Sequence, residues 1–491
     1  MGRCWTMFVG RKDELDSLEN LYAKGSFQCV IIYGRRRLGK TTLIKEFAAH
    51  KDAIFFTAQE VNDYNNLRLF TELVYSFFNV SPSMGKFEDW NAAFNFIAEK
   101  ARERRFILIM DEYPYAAQAN RELNSIIQNT IDHALKDTGL FLVLCGSQIG
   151  FMENEVLGYK SPLFGRRTAQ LKIEGLNYAD AAKLLQGFSP EDMVKTYSCV
   201  GGTPYYIVQV DPSRSFEENI TALFFTNMGY LYDEPMMLLR QELREPALYN
   251  SLITAIASGA SKLNDIAQKA GEDPQKASKY LHTLVEMRIL RRVYPFGENP
   301  AKSRRSIYRI EDNCFAFWYR FVFPLQDAIE KGMGRQGAQK RVFPDLPAYI
   351  GKPSFEAICL QYLVLLNRWE QLPFFATQFG TWWGSDPLNH EQTDIDVVLH
   401  SETGGEALLG ECKWRNEAVG TAELEKLLDK GRLLPGYQKY HYCFFAKSSF
   451  TPGAQKLAAE KQVQCVSLAD LFRFIDGPGN TFYSKHNGYF N

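Results

Sequence analysis

A short apolar run, Cys29–Tyr33, stops at Gly34-Arg35-Arg36-Arg37-Leu38-Gly39-Lys40-Thr41, and an amphipathic stretch continues through Phe47. The spacing fits G-x-x-x-x-G-K-[ST] between a strand and a helix. Glycines let such a loop wrap tightly, so its backbone N–H groups point inward, and the helix start behind them favours an anion. A lysine at Lys40 neutralises the outer phosphates, and a hydroxyl at Thr41 ligates a divalent ion. The segment therefore calls for a parallel α/β sheet and for ATP with Mg2+. Gly34, Arg35, Arg36, Arg37, Leu38, Gly39, Lys40, Thr41 and Thr42 are its candidate nucleotide contacts.

The surrounding sequence supplies that sheet. Apolar runs at Gln28–Tyr33, Ile54–Thr57, Phe106–Met110, Phe141–Cys145 and Ala169–Ile173 alternate with helical patterns, as expected for strands covered on both faces. The third run ends in Asp111-Glu112. An acid at a strand's carboxyl end supports the metal, which assigns Asp111, and an adjacent Glu112 can polarise the attacking water. The fourth run ends in Gly146-Ser147-Gln148, where Ser147 or Gln148 could sense the γ-phosphate.

Bulk properties narrow the setting. A chain of 491 residues allows about three domains. Net charge is −1, so any nucleic-acid surface must be a local patch. Nine scattered cysteines without a C-x-x-C pair read as reduced thiols of a cytoplasmic protein, not as a disulfide frame or a zinc site. The N-terminus has no signal-peptide pattern, and no apolar run is long enough for a membrane span.

Five segments are expected: an ATPase core over 1–175, a helical lid over 176–245, a winged helix-turn-helix over 246–312, a connector over 313–345, and a smaller α/β unit over 346–491. In the third, Leu263–Ala270 and Gln275–Met287 flank the turn Gly271-Glu272-Asp273-Pro274. Ala277, Tyr280, Leu281, Leu284 and Val285 share one face, leaving Lys276, Lys279 and His282 to point outward. Wing strands Leu290–Tyr294 and Ser306–Ile310 enclose a loop with Lys302, Arg304 and Arg305. Lys276, Lys279, Arg304 and Arg305 are the candidate DNA contacts; protein contact is the alternative for this module.

Phe8-Val9-Gly10-Arg11, the Gly34–Thr42 loop, Asp111-Glu112-Tyr113, Cys145-Gly146-Ser147, Ser161–Arg167 and Gly201-Gly202-Thr203-Pro204-Tyr205-Tyr206 together resemble the archaeal-type ATPase family, in the STAND branch of AAA-related ATPases. The resemblance covers residues 1–245. It implies that Gly10 and Arg11 lie near the nucleotide and that Pro204, in the Gly202-x-Pro204 element, packs near the adenine. It also implies that Arg166 acts as an arginine finger. A finger acting in trans would require a homo-oligomer.

The last segment carries a second constellation. Asp394-Ile395-Asp396 begins one strand, and Glu411-Cys412-Lys413 ends the next, with Glu411 and Lys413 on one face. A hairpin would set Asp396 beside them. Facing carboxylates call for a divalent cation, and a lysine there can orient or activate water. The pattern resembles the PD-(D/E)xK nuclease fold, with Asp396 and Glu411 as metal ligands and Lys413 as the lysine. The carbonyl of Cys412 would be an extra ligand and Glu356 the helix-borne acid. Trp382-Trp383-Gly384 and Glu411–Trp414 are also similar to DUF234, a C-terminal domain that accompanies this ATPase family.

The expected fold is thus α/β throughout: a P-loop NTPase with helical lid, a winged helix, and a restriction-endonuclease-like domain. The expected function is ATP binding and hydrolysis that gates action on DNA, with a second Mg2+ or Mn2+ in the C-terminal domain. The alternatives are a signalling switch or a DNA-binding regulator whose C-terminal domain is catalytically inactive.

Overall fold

The computed structural model describes residues 8–81, 85–402 and 405–473. The end of the expected C-terminal segment, 474–491, lies outside the described residues. The chain divides into two compact units, Met1–Gly175 and Leu176–Asn491.

The first unit holds β1 (Gln28–Tyr33), β2 (Ala53–Thr57), β3 (Ile107–Asp111), β4 (Phe141–Gly146) and β5 (Ala169–Lys172) in the order β2-β3-β4-β1-β5. All neighbours run parallel. Side-chain alternation sorts the strands onto two buried faces. Val30, Ile32, Ile107, Ile109, Val143 and Cys145 pack with Leu43, Ile44 and Phe47 of the helix Lys40–Ala48. Cys29, Ile31, Leu108, Met110, Leu142 and Leu144 pack with Phe70, Trp90 and Phe94 on the other side. Those last three belong to helices Asp63–Phe78 and Trp90–Glu103, whose N-termini are capped by the side chains of Asn62 and Asp89. Because β4 is inserted between β1 and β3, its carboxyl end lies between the phosphate loop and Asp111.

The second unit opens with the helices Tyr178–Leu184, Pro190–Val200, Phe216–Phe224 and Glu234–Glu242. Gly202 is required by close approach: a Cβ there would lie 2.1 Å from the Leu176 carbonyl oxygen. Helices Pro246–Ala257, Leu263–Ala270 and Pro274–Glu286 follow, then the antiparallel hairpin β6 (Leu290–Val293) and β7 (Ile307–Ile310). Gly271 makes the sharp turn in the left-handed region, at φ 70°, and the Asp273 carboxylate caps the third helix.

Residues 313–345, expected as a connector, instead form successive helical turns with Phe317, Trp318, Phe321 and Val322 buried in the unit's main core. Trp318 Nε1 donates to the Tyr232 carbonyl at 2.6 Å. The Gly, Lys and Arg residues of this segment largely occupy the solvent side of those turns.

Strands β8 (Gln378–Asp386), β9 (Glu391–His400), β10 (Glu406–Lys413), β11 (Lys439–Ala446) and β12 (Val463–Ser467) form a mixed sheet ordered β12-β11-β10-β9-β8. β8, β9 and β10 are an antiparallel meander, and β11 and β12 continue it in parallel. β8 begins only at Gln378, because the Asn367 amide bonds both the N–H and the carbonyl of Ala376, at 2.8 and 3.1 Å, and takes the groups a ladder would use. β12 and the preceding helix Pro452–Lys461 were absent from the sequence expectation.

Candidate functional sites

The phosphate loop joins β1 to the helix Lys40–Ala48. At Gly34 the chain passes so close to Ile173 that a Cβ would sit 2.3 Å from its carbonyl oxygen. Gly39 is left-handed at φ 87°, and a Cβ there would meet nothing within 4 Å. The loop thus has one wall closed by backbone and open space above Gly39. Lys40 is buried, and its Nζ donates to the carbonyls of Gly34 and Arg35 at 2.7 and 2.9 Å. Thr41 Oγ1 donates to Asp111 Oδ2 at 2.9 Å, so the hydroxyl and the acid expected to share a divalent ion are already side by side. The open cradle, the buried ammonium and this hydroxyl–carboxylate pair fit a nucleotide phosphate with a metal ion.

Glu112 follows in the left-handed region at φ 50°, and its Oε2 accepts from Ser147 Oγ at 2.9 Å. Gln148 instead takes a hydrogen bond from Gln118 at 2.7 Å. Arg11 donates to the Leu38 carbonyl at 3.3 Å and pairs with Glu14 at 3.1 Å, which ties the segment after Gly10 to the loop. Arg36 donates to the Tyr115 hydroxyl at 2.6 Å. Arg166 is engaged by Asp132, with Nη2 at 2.8 Å and Nε at 3.2 Å from Oδ2, and this guanidinium holds the Asp132 carboxyl below the usual range. Gly202 and Pro204 belong to the second unit, where Leu176 N–H donates to the Gly202 carbonyl at 2.7 Å.

In the second unit the β9–β10 ladder pairs Ala407 with His400 through Gly410 with Val397. The next step along both strands brings Asp396 and Glu411 together. Asp396 is buried, and its Oδ2 accepts from the Cys412 N–H at 2.9 Å. Glu411 and Lys413 share one face of β10 and bond each other, Nζ to Oε1, at 2.5 Å. Burial, then the Glu411 and Glu356 carboxylates, push Asp396 up to about 7. Burial also raises Glu356, against the pull of Lys352. Burial works to lower Lys413, but the Glu411 carboxylate together with Asp396 raises it.

Two residues that sequence reasoning had not singled out complete this cleft. Lys430 donates to Glu411 Oε2 at 2.6 Å. Lys352 lies 3.4 Å from Glu356 Oε1 and 4.0 Å from Asp396 Oδ1, and it pairs with Asp394. Burial disfavours the charged form of Asp394, yet the ammonium groups of Lys352, Lys430 and Lys413 together draw the carboxyl down. The signal for Lys352 was its place four residues before the helix-borne Glu356; Lys430 is brought in by the fold from beyond the helix Thr421–Asp429. Among the described residues no three His, Cys, Asp or Glu side chains form a ready-made metal cluster. Two carboxylates and a carbonyl, with the remaining positions open to water and phosphate, nevertheless match what a small hard divalent ion takes from a protein.

The expected DNA-contact residues fare unequally. Lys279 is exposed on the third helix of its module. Lys276 pairs with Glu272 at 3.2 Å. Arg304 and Arg305 are both exposed, but Arg305 is tied to the second unit's own groups: it pairs with Glu298 at 3.0 Å and bonds the Trp383 carbonyl on β8. Beside it, the Phe296 N–H donates to the Thr381 carbonyl at 2.9 Å, and the Phe296 ring is buried with Ile395, Val398 and Leu409. The hairpin loop is therefore docked on the C-terminal sheet, one strand away from Asp394 and Asp396.

Comparisons with known proteins match both regions of the chain. A model described as an ATPase domain predominantly from Archaea matches residues 8–210. A model of archaeal and bacterial proteins of unknown function, DUF234, matches 318–426, and a restriction endonuclease model matches 388–475, spanning Asp396, Glu411, Lys413 and Lys430. An uncharacterized protein of Methanocaldococcus jannaschii is 32% identical over 445 residues, covering 89% of this chain and 94% of that protein. An uncharacterized ATP-binding protein of the same organism is 51% identical over 45 residues, 9% of this chain and 76% of its own length. A solved Walker-type ATPase of Pyrococcus abyssi superposes with a TM-score of 0.49 at 18% identity, over 64% of this chain and 96% of that one.

Proposed function

This chain belongs to the archaeal-type ATPase family with a C-terminal DUF234 and restriction-endonuclease-like region, and on that premise we propose that it is an ATPase whose nucleotide state gates cleavage of DNA by its C-terminal domain. At the nucleotide site, Gly34 to Thr42 wrap the phosphates of ATP, Lys40 offsets their charge, and Thr41 and Asp111 hold Mg2+. Glu112 takes the proton of the attacking water. Gly10 and Arg11 border the nucleotide, Ser147 senses its outer phosphate, and Arg166 leaves Asp132 to reach a phosphate in a second copy of the chain.

The observation that carries the nuclease reading is the convergence of Asp396, Glu411 and Lys413 on facing strands. Asp396, Glu411 and the Cys412 carbonyl would hold Mg2+ or Mn2+, which supplies charge stabilisation for a phosphodiester under attack. Lys413 orients the water. The winged helix over 246–312 presents Lys276, Lys279 and Arg304 to the duplex backbone. Its docked hairpin keeps reader and cutter in one frame, so the distance from contact to cut is constant. ATP favours one arrangement of the chain only to the extent that it binds that arrangement more tightly.

A second reading, a nucleotide switch whose C-terminal domain binds without cutting, is favoured by the lysines already paired with the cleft's acids. Plasmid nicking with Mg2+ or Mn2+, with and without ATP, separates the two. Wild type should nick, Asp396→Ala and Glu411→Ala should not, and Lys40→Ala should lose the ATP dependence. Equal nicking by wild type and both acid variants would remove the nuclease reading.

A further inference from the structure

Four carboxylates, Glu356, Asp394, Asp396 and Glu411, are met by three lysines in the cleft, and the lysines are not equivalent. Lys413 and Lys430 both bond Glu411, at 2.5 and 2.6 Å. Lys352 serves the other three acids: its Nζ pairs with Asp394 and lies 3.4 Å from Glu356 and 4.0 Å from Asp396. Lys352 stands at an extended residue, φ −146° and ψ 122°, between two helical stretches. Its side chain is 52% exposed, against 16% for Lys430. It can swing into water without opening the core, which Lys430 cannot.

From this geometry we propose that Lys352 is a resident counter-cation that occupies the charge position of a divalent metal ion and must leave its seat for that ion to be held by Asp396 and Glu411. The inference rests on the metal-site reading above. The physical ground is Coulomb's law at short range: the ammonium groups beside these acids repel a doubly charged ion bound to the same carboxylates, and Lys352, 4.0 Å from an Asp396 oxygen and the most exposed of the three, is the one that can relieve this by moving into water. The ammonium offsets acid repulsion while the metal is away, and it weakens metal affinity because its release is part of binding. Once displaced, Lys352 sits free at the rim of the cleft, where a DNA phosphate would arrive.

The test is isothermal titration of MnCl2 into the full chain without nucleotide, comparing wild type with Lys352→Met, Lys352→Gln and Lys352→Arg. Asp396→Asn defines which heat belongs to this site. Both neutral variants should bind Mn2+ about tenfold more tightly, and Lys352→Arg should stay near wild type, because it keeps the competing charge. Without metal, the neutral variants should melt at lower temperature than wild type and gain more from added Mn2+. Equal or weaker Mn2+ binding in Lys352→Met and Lys352→Gln, with wild type showing an Asp396-dependent site, overturns the role of Lys352 alone. Absence of Asp396-dependent binding in every protein overturns both this role and the metal-site reading.

Discussion

Ser147 Oγ donates a 2.9 Å hydrogen bond to Glu112 Oε2, linking the segment after β4 to the segment after β3 at the mouth of the phosphate loop. The bond orients the Glu112 carboxylate from the end of the neighbouring strand. Glu112→Gln should keep ATP binding and slow phosphate release about 10²–10⁴-fold, the usual loss when a general base is removed. Ser147→Ala should change turnover far less, since the carboxylate is retained. Wild-type turnover in Glu112→Gln would remove it as the base.

The two loop glycines should fail in different ways. At Gly34 an added Cβ would be 2.3 Å from the Ile173 carbonyl oxygen, so Gly34→Ala must move backbone. At Gly39 there is room, and the cost is the left-handed φ of 87°, roughly 1–2 kcal/mol. Thermal melts should therefore rank Gly34→Ala below Gly39→Ala. Lys40→Ala should melt near wild type yet lose binding of a fluorescent ATP analogue. A Gly34→Ala protein as stable as wild type would contradict the close approach.

The docked hairpin gives a sharper expectation. Phe296 is buried with Ile395 and Val398, so Phe296→Ala should cost about 3–5 kcal/mol and raise amide exchange along β8. Arg305 already serves Glu298 and the Trp383 carbonyl, whereas Lys279 is exposed on its helix. Lys279→Ala should weaken DNA binding and reduce the salt slope by about 1, while Arg305→Ala should leave the slope unchanged. The reverse ranking would place the duplex on the hairpin.

These contrasts show what the sequence could carry. The phosphate loop was legible because its chemistry is local: Gly34 to Thr41 are contiguous, and Thr41 and Asp111 meet as a parallel sheet requires. Asp396, Glu411 and Lys413 were legible because strand alternation and one hairpin suffice to juxtapose them. Lys352 and Lys430 were not, since they reach the cleft from a kinked segment and from beyond a crossover helix, and no periodicity encodes that. The docking of Phe296 on Thr381 was equally hidden, because a Gly-, Pro- and Arg-rich hairpin loop reads as solvated until its partner sheet is known. The helical turns of 313–345 were hidden for a related reason: the expected connector carries aromatic residues whose core is formed only by distant parts of the chain.

Asp386 and Arg432 offer a test of the C-terminal sheet by pH. Arg432 Nη1 donates to Asp386 Oδ1 at 2.6 Å and Nη2 to the other oxygen, while the Leu388 N–H donates to Oδ1 at 2.9 Å. The Arg432 guanidinium, helped by these backbone N–H groups, holds the Asp386 carboxyl well below the usual range. A carboxyl with a depressed folded value binds its proton more readily when unfolded. Its contribution is therefore complete above the ordinary aspartate value of about 4 and is lost as pH falls through the folded value. Asp386→Asn cannot titrate, so it should melt below wild type at neutral pH and show a flatter fall in Tm on acidification below about pH 4. Arg432→Met leaves the buried carboxylate without its partner and should be the less stable of the two at neutral pH. Wild type and Asp386→Asn falling in parallel through the acid range would show that this pair does not set the acid limit of the fold.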